Sequence, residues 1–142
     1  LPICSRGGLT TKIHAAGIDE NRSVALQISC GNANDAPAFD LLYEGLSDDN
    51  VIEAIAMDKG YDSDRIRQRL EIDGIEPVIP PRSNRLNQYH YDAERYKRRN
   101  TIERFFNKMK QFRRIATRYD KLKESFFASV HIAATFICLK NS

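Results

Sequence analysis

A long charged segment near residue 100 contains a glutamate whose spacing from a tyrosine and from two basic residues could form a reactive site. If the segment is helical, with 100° per residue, a carboxylate, a phenol and two cations fall within roughly 60° of one another. These residues are Tyr96, Arg99, Glu103 and Lys110. Such a face can supply one metal-binding carboxylate. The alternative is a solvated face with an Arg99–Glu103 pair at i,i+4, which stabilises a helix by about 0.2–0.5 kcal/mol.

A second candidate is the aspartate that ends a short apolar run. The run VIEAIAM, residues 51–57, indicates a buried strand, although its periodicity also allows a helix. Asp58 follows this run and precedes a sharp turn at 59–61. An acidic residue at the carboxyl end of a strand stands where α/β proteins place ligands. The alternative for Asp58 is a turn residue or a helix cap.

Asp58 and Glu103 together could converge on one hard cation. Mg²⁺ prefers oxygen ligands and is commonly bound by one or two carboxylates, water and substrate phosphate. Two such ions can activate a water or a 3′-hydroxyl and stabilise the leaving oxygen in an in-line displacement at phosphorus. That chemistry usually requires a third carboxylate between the ions. The pair therefore indicates phosphoryl transfer, with one acidic ligand not accounted for.

The elements that would position these residues begin with a hairpin. Residues 9–18 and 23–29 are rich in β-branched and apolar residues and flank a polar turn, which is typical of two paired strands. Asn34 or Asp35 can cap a helix that runs to about Tyr43. The apolar run that ends at Asp58 is then predicted to be the third strand.

The segment after Asp58 predicts a helix and another strand. Asp62 or Ser63 can cap a helix over 64–73, and Gly74 can end it. A short strand follows at 76–81, where prolines confine it to the edge of a sheet.

Two long helices are predicted at about 93–115 and 120–139. An apolar stripe next to Glu103 is expected to pack the first of them on the sheet; it consists of Ile102, Phe105, Phe106, Met109 and Phe112. The order strand, strand, helix, strand, helix, strand, helix, helix predicts an α/β fold, with a sheet covered by helices.

The charge of the chain is unevenly distributed. Residues 1–81 carry 7 Lys and Arg against 14 Asp and Glu, whereas residues 82–123 carry 14 against 4. A basic block on an otherwise acidic chain indicates a polyanionic partner, with a solvated helix face as the alternative. If the partner is DNA, binding should weaken steeply with salt, because the cations displace counterions from the phosphates.

Several other classes of protein are not indicated. The three cysteines are far apart and have no zinc-ligand spacing, so reduced thiols in a cytoplasmic protein are expected and zinc is not. His14, His90 and His131 are scattered and are expected to be surface or packing residues. No apolar run approaches the ~20 residues that a membrane helix requires, so no membrane partner is expected.

The residues around Glu103 resemble a known signature. The spacing Tyr96-x(2)-Arg99-x(3)-Glu103-x(6)-Lys110 matches without a gap the Y-(2)-R-(3)-E-(6)-K signature of DDE transposases in the insertion sequence four and five groups. Three more blocks resemble that family, and their sequences are SRGGLTTKIHA, GNANDAPAF and AMDKGYDSDRIR. The resemblance extends from Ser5 to about Leu139.

The resemblance implies an RNase H-like fold and nicking of DNA at transposon ends that depends on Mg²⁺ (or Mn²⁺), followed by strand transfer into target DNA. By position, Asp58 matches the second catalytic, metal-binding acidic residue and Glu103 the third. DNA contacts are implied for Tyr96, Arg99 and Lys110. Further phosphate contacts, with simple solvation as the alternative, are expected at Arg113, Arg114, Arg118 and Lys121.

One feature of the family pattern is absent. The first aspartate of the family lies on the first strand, upstream of the Ser-Arg-Gly-Gly block, and this sequence begins after that point. Asp19 lies in the hairpin turn, and Asp35 matches a recurrent aspartate with no assigned role, so neither replaces it. We expect a C-terminal fragment, residues 1–142, of the catalytic domain, in which the first and central strand is missing. Such a fragment should be unstable or mispaired, and inactive alone.

Two further readings compete with a transposase fragment. A non-catalytic DNA-binding relic or regulator would keep the basic helices, whereas another RNase H-like nuclease would have no need of the Tyr, Arg and Lys spacing around Glu103. The expected partners of the whole enzyme are transposon-end and target DNA, a second copy of itself in a homo-oligomer, and the product of an upstream reading frame.

Overall fold

The structure is a computed structural model that describes residues 2–4, 10–19, 23–46, 51–86, 88–117 and 122–140, without the side chains of 2–4, Val24 and Arg114. Within these ranges, three strands come first, helices and strands alternate in the middle, and helices end the chain. The strands are β1 (Pro2–Cys4), β2 (Thr10–Gly17), β3 (Ser23–Cys30), β4 (Ala54–Ala56) and β5 (Glu76–Val78). The α-helices are α1 (Ala36–Glu44), α2 (Asp64–Ile72), α3 (Ala93–Lys97), α4 (Asn100–Lys110), α5 (Arg113–Ala116) and α6 (Lys123–Lys140). The predicted α/β class is confirmed.

The predicted hairpin is present. Strands β2 and β3 pair antiparallel with Ile13 opposite Ile28 and His14 opposite Gln27. Alternation along β2 sends Ile13 into the core and Lys12 and His14 to the opposite face. A short strand that the sequence did not predict, β1, pairs antiparallel with the first three residues of β2.

The run that precedes Asp58 also forms a strand, but a shorter one than predicted. Strand β4 covers Ala54–Ala56 and pairs in parallel with β5, and Ala56 lies opposite Val78. The described strands therefore form two small sheets, β1–β2–β3 and β4–β5, rather than one sheet. Parallel pairing places the carboxyl ends of β4 and β5 at the same edge, and Asp58 follows that edge.

Two hydrophobic clusters stabilise the sheets. The first cluster places the predicted stripe against the hairpin. Phe105 and Met109 of α4 are fully buried and share this cluster with Ile13 and Ile28 of the hairpin and with Phe126 of α6. Ile102, Phe106 and Phe112 pack against this cluster, so the predicted stripe is confirmed. The second cluster packs α1 and α2 around β4 and β5, with Phe39, Ile66, Leu70, Ile75 and Ile79 buried.

The single helix predicted over 93–115 is wrong in detail. Across Arg98 and Arg99 the backbone hydrogen bonds span three residues instead of four, so α3 passes into α4 through a tighter turn. At Phe112 the chain becomes extended, with φ −82° and ψ 109°. The ring of Phe112 packs edge-on against Phe136 of α6, with 5.8 Å between the ring centroids. A tertiary contact thus accompanies the end of the helix.

The start and end signals of α2 are confirmed. The hydroxyl of Ser63 accepts a hydrogen bond from the backbone N–H of Ile66 at 3.3 Å, so Ser63 rather than Asp62 is the cap. Gly74 follows the helix with φ +73°, a left-handed conformation that glycine adopts without strain. Within the described residues, no helix is long and apolar enough to cross a bilayer.

Candidate catalytic site

The turn after β4 fixes the carboxylate of Asp58. Its Oδ1 accepts a hydrogen bond from the backbone N–H of Gly60 at 2.8 Å, and its carbonyl accepts one from Tyr61 N at 3.1 Å. Asp58 thereby caps a 3₁₀ helix, Lys59–Tyr61, so the alternative of a capping residue is realised. The cap occupies one carboxylate oxygen, and the second oxygen accepts no hydrogen bond from the described residues.

A second carboxylate, from Asp35, lies at the same turn. Asp35 Oδ2 and Asp58 Oδ1 would lie 2.6 and 2.8 Å from a Cβ atom at Gly60, so both border the space that a side chain there would fill. Asp35 is at the N-cap position of α1, but its side chain does not cap the helix. Its Oδ1 accepts a hydrogen bond from Lys12 Nζ at 2.9 Å instead. No local pattern predicts this arrangement, because Asp35 is distant along the chain from both Lys12 and Asp58.

A polar bridge joins the hairpin to the same turn. The Nδ1 of His14 lies 2.7 Å from the hydroxyl of Tyr61, and its Nε2 lies 2.8 Å from the hydroxyl of Ser29. Burial lowers the pKa of His14 below its ordinary 6.5 and outweighs the opposing effect of Asp35. Burial, together with the carboxylates of Asp35 and Asp58, raises the pKa of Tyr61. The bridge therefore consists of neutral groups at neutral pH. Ser29 also donates to a backbone carbonyl, so the satisfied arrangement has Tyr61 donating to Nδ1 and Nε2–H donating to Ser29.

Asp62 anchors the segment that follows β5. Its side chain is fully buried and accepts hydrogen bonds from Arg67 at 2.9 Å, from Arg85 at 2.7 Å and from the backbone N–H of Arg82 at 2.8 Å. Burial alone would raise the pKa of this carboxyl, but these hydrogen bonds lower it overall. Asp62 therefore has a structural role.

Three of the four residues predicted to share the Glu103 face, Tyr96, Arg99 and Glu103, form a series of contacts. Arg99 forms an ion pair with Glu103 one turn along the helix and stands over the ring of Tyr96, 5.6 Å from its centroid. The Tyr96 ring in turn packs edge-on against Tyr91. The side chain of Glu103 is 50% exposed, so this face is open to a ligand. The alternative of a solvated i,i+4 pair is compatible with the same geometry.

The remaining predicted DNA contacts are only partly described. Lys110, at the end of α4, and Arg113, at the start of α5, are exposed. Arg114 lies in α5 but its side chain is not described, and Arg118 and Lys121 lie outside the described residues. Two of these five cations are therefore placed on the surface, one at the end of the Glu103 helix and one just after it.

Comparison with known proteins identifies the family. The family model for the transposase DDE domain matches residues 5–138. This chain belongs to the DDE transposase family. It is 35% identical over 136 residues to a Brucella ovis protein named "Putative transposase for insertion sequence element IS6501". That alignment covers 93% of this chain and all of the relative. No solved structure matches the chain significantly.

Membership of the family confirms the resemblance noted in the sequence and connects the chain with DNA transposition and a DNA substrate. It also implies dependence on a divalent metal ion. The donors present are chemically suited to one, since Asp58 and Glu103 offer carboxylate oxygens and hard cations prefer these. Within the described ranges, however, no three His, Cys, Asp or Glu side chains are grouped so that they could hold a metal ion. The fit is thus one of donor chemistry, with the two carboxylates on separate elements.

Proposed function

We propose that Asp58 and Glu103 are two acidic metal ligands of a DDE transposase and that the basic face beside Glu103 holds DNA. The observation that carries this proposal is the contact series Tyr96, Arg99, Glu103, in which three of the four signature residues are joined and the Glu103 carboxylate is half exposed. A half-exposed carboxylate with one free edge can still accept a cation, whereas a buried, saturated one such as Asp62 cannot.

Each residue of this surface has a distinct proposed role. Arg99 holds the Glu103 carboxylate through one oxygen and leaves the other available. The Tyr96 ring makes a cation–π contact with the Arg99 guanidinium, and we propose that this contact keeps the arginine oriented when DNA binds. Lys110 and Arg113 neutralise phosphates, which positions DNA without reading its sequence. Arg114, Arg118 and Lys121 are proposed to extend the same contact.

The metal ion is proposed to be Mg²⁺ or Mn²⁺, held by Asp58 and Glu103. When bound, it would activate the attacking oxygen and stabilise the leaving oxygen at phosphorus. The capped geometry of Asp58 favours this role, because the Gly60 N–H fixes one carboxylate oxygen and so orients the other. A third acidic ligand is not assembled within the described residues. We therefore propose that this chain alone binds DNA but does not cut it.

We further propose that residues 1–142 are the C-terminal part of an RNase H-like catalytic domain. The separation of the described strands into two sheets supports this, because both sheets would need a common neighbouring strand to become one. Strand β1 covers only three residues of the β2 edge. In the whole enzyme, a homo-oligomer and the product of an upstream reading frame are proposed partners.

A non-catalytic DNA-binding relic or regulator is the second candidate. The specific observation in its favour is that no group of three potential metal ligands is found in the described ranges, while the exposed Lys110 and Arg113 of the basic face are present. Such a module would bind DNA with the same dependence on salt and would gain nothing from a divalent ion.

The two candidates differ in how divalent ions affect DNA binding. We would measure the affinity of the 142-residue chain for a fluorescent duplex, with and without Mn²⁺, at constant ionic strength. A transposase site predicts tighter binding with Mn²⁺, and loss of this gain in Asp58→Asn and in Glu103→Gln, each compared with its own affinity without metal. Glu94→Gln is the matched control, because Glu94 forms an exposed ion pair with Lys97 on the preceding helix α3. An identical affinity with and without Mn²⁺ in the wild type would favour the relic.

A further inference from the structure

The aspartate at the start of α1 belongs spatially to the turn of Asp58. Lys12 of β2 donates to Asp35 at 2.9 Å and to the carbonyl of Ala33 at 2.7 Å, so one ammonium group ties the α1 N-terminus to the hairpin. Both partners of the ion pair are three-quarters buried, with side-chain exposures of 24% and 25%. This shielding makes the pair stronger than an exposed one.

The turn fits against Asp35 because residue 60 lacks a side chain. A Cβ atom at Gly60 would approach Asp35 Oδ2 to 2.6 Å, closer than real Cβ atoms come to other atoms. The same atom would lie 2.8 Å from Asp58 Oδ1, which accepts the Gly60 N–H. Asp35 and the Asp58 carboxylate thus border the same space beside Gly60.

Two carboxylates this close repel each other unless a cation offsets the charge. Lys12 is the cation, and it contacts Asp35 rather than Asp58. Its charge therefore reduces the repulsion while leaving Asp58 free for another positive partner. The neighbouring bridge from His14 to Tyr61 attaches the far end of the same turn to β2.

We propose that Asp35, paired with Lys12, is a positioning residue that holds the Gly60 turn and thereby orients the carboxylate of Asp58. The inference rests on the proposed function for the metal-binding role of Asp58, but its structural part concerns the turn alone. Substituting a residue that orients a metal ligand, without itself contacting the metal, typically lowers metal affinity about 10–100-fold.

The structural part can be tested without metal. Hydrogen exchange of the Gly60 amide, measured by NMR on the 142-residue chain, reports whether Asp58 keeps its cap. In Asp35→Ala we expect the protection of this amide to fall about fivefold or more, as for loss of one hydrogen bond. Asp40→Ala is the matched control, because Asp40 is also on α1 and ion-paired, but with the exposed Arg65. Unchanged protection in Asp35→Ala would overturn the inference.

Asp35→Asn provides a second variant if Asp35→Ala does not fold. It keeps the contact with Gly60 but removes the charge that Lys12 neutralises, so a smaller loss of protection is expected. Protection equal to that of the wild type, in a folded Asp35→Asn protein whose Lys12 has lost its ion pair, would contradict a role of the ion pair.

A metal titration separates this inference from the proposed function. Mn²⁺ should broaden the Gly60 amide signal of the wild type, and Asp35→Ala should require about tenfold more Mn²⁺ for the same broadening, at a temperature at which both proteins are folded. If the wild type shows no broadening, the metal role of Asp58 fails, and the exchange experiment still decides the role of Asp35. If Asp35→Ala and the wild type titrate alike, Asp35 does not position Asp58 for metal.

Discussion

The turn that carries Asp58 and the helix face that carries Glu103 are held in place by different means. Asp58 is capped locally by the Gly60 N–H, but the turn itself is held by residues distant in the chain, Lys12 through Asp35 and His14 through Tyr61. Around Glu103, the contact comes from Arg99, one helical turn away. The first region depends on the tertiary fold, whereas the second needs only a helix. A proposed site with one ligand in each region can therefore lose the first ligand while the second stays in place.

The largest effect is expected beside the Asp58 turn, at the buried carboxylate of Asp62. Asp62→Ala leaves Arg67 buried without its partner and should lower the free energy of unfolding by about 3–5 kcal/mol. The matched control is Asp40→Ala, which removes an ion pair with the exposed Arg65 and should cost less than about 1 kcal/mol. Urea denaturation followed by circular dichroism measures both. An equal loss of unfolding free energy in the two variants would show that the buried Asp62 network stabilises the fold no more than an exposed ion pair does.

The next largest loss of stability is expected at two glycines, Gly60 and Gly74, which exclude a side chain for different reasons. Gly60→Ala should cost roughly 1–3 kcal/mol by overpacking, because its Cβ meets Asp35 and Asp58. Gly74→Ala should cost roughly 1–2 kcal/mol, through its left-handed backbone alone, since nothing lies within 4 Å of its Cβ. Only Gly60→Ala should also abolish Mn²⁺ broadening at the Asp58 turn. If Gly74→Ala abolishes it too, the loss reflects general destabilisation.

A smaller effect is expected from pH. The folded state lowers the pKa of His14, so the unfolded chain takes up a proton more readily. This contribution to stability is complete above the unfolded pKa of about 6.5 and is lost as the pH falls from there through the lower folded pKa. Urea midpoints between pH 7.5 and about pH 5 should therefore decline for the wild type and decline less for His14→Gln. Parallel declines would exclude His14 as the source.

The features that could be predicted from the sequence are those set by residues close together in the chain. The hairpin, helix α2 with its Ser63 cap and Gly74 end, and the apolar stripe of α4 were predictable, because each depends on a local pattern. The contact of Arg99 with Glu103 was predictable for the same reason. The signature spacing also pointed to the family, which the comparisons confirmed.

The features that the sequence did not reveal depend on distant contacts. Asp35 lies 23 residues from Lys12, and no local signal distinguishes its side chain from that of an ordinary helix cap. Asp62 was predicted as a possible cap and is instead the centre of a buried arginine network. The break at Phe112 and the division of the strands into two sheets likewise follow from tertiary packing.

The smallest expected effect on stability is at Glu103 itself. Glu103→Gln should change the free energy of unfolding by no more than about 0.5 kcal/mol, because it removes an exposed i,i+4 pair. The same variant should lose the Mn²⁺-dependent gain in DNA affinity, so function and stability separate here. Thermal denaturation and DNA titration of one preparation give both values. A loss of more than about 2 kcal/mol, far above the usual contribution of such a pair, would show that Glu103 is structural.

The measurement that tests the central claim most directly asks whether the two regions share one metal ion. Mn²⁺ would be titrated into the DNA complex of the 142-residue chain, and the broadening of the amide signals of Gly60 and Arg104 would be followed together. If Asp58 and Glu103 bind the same ion on DNA, both signals broaden at the same Mn²⁺ concentration, and either Asp58→Asn or Glu103→Gln weakens both. Broadening of only one signal, or of the two at unrelated concentrations, would contradict a shared site and leave a DNA-binding protein without the transposase chemistry.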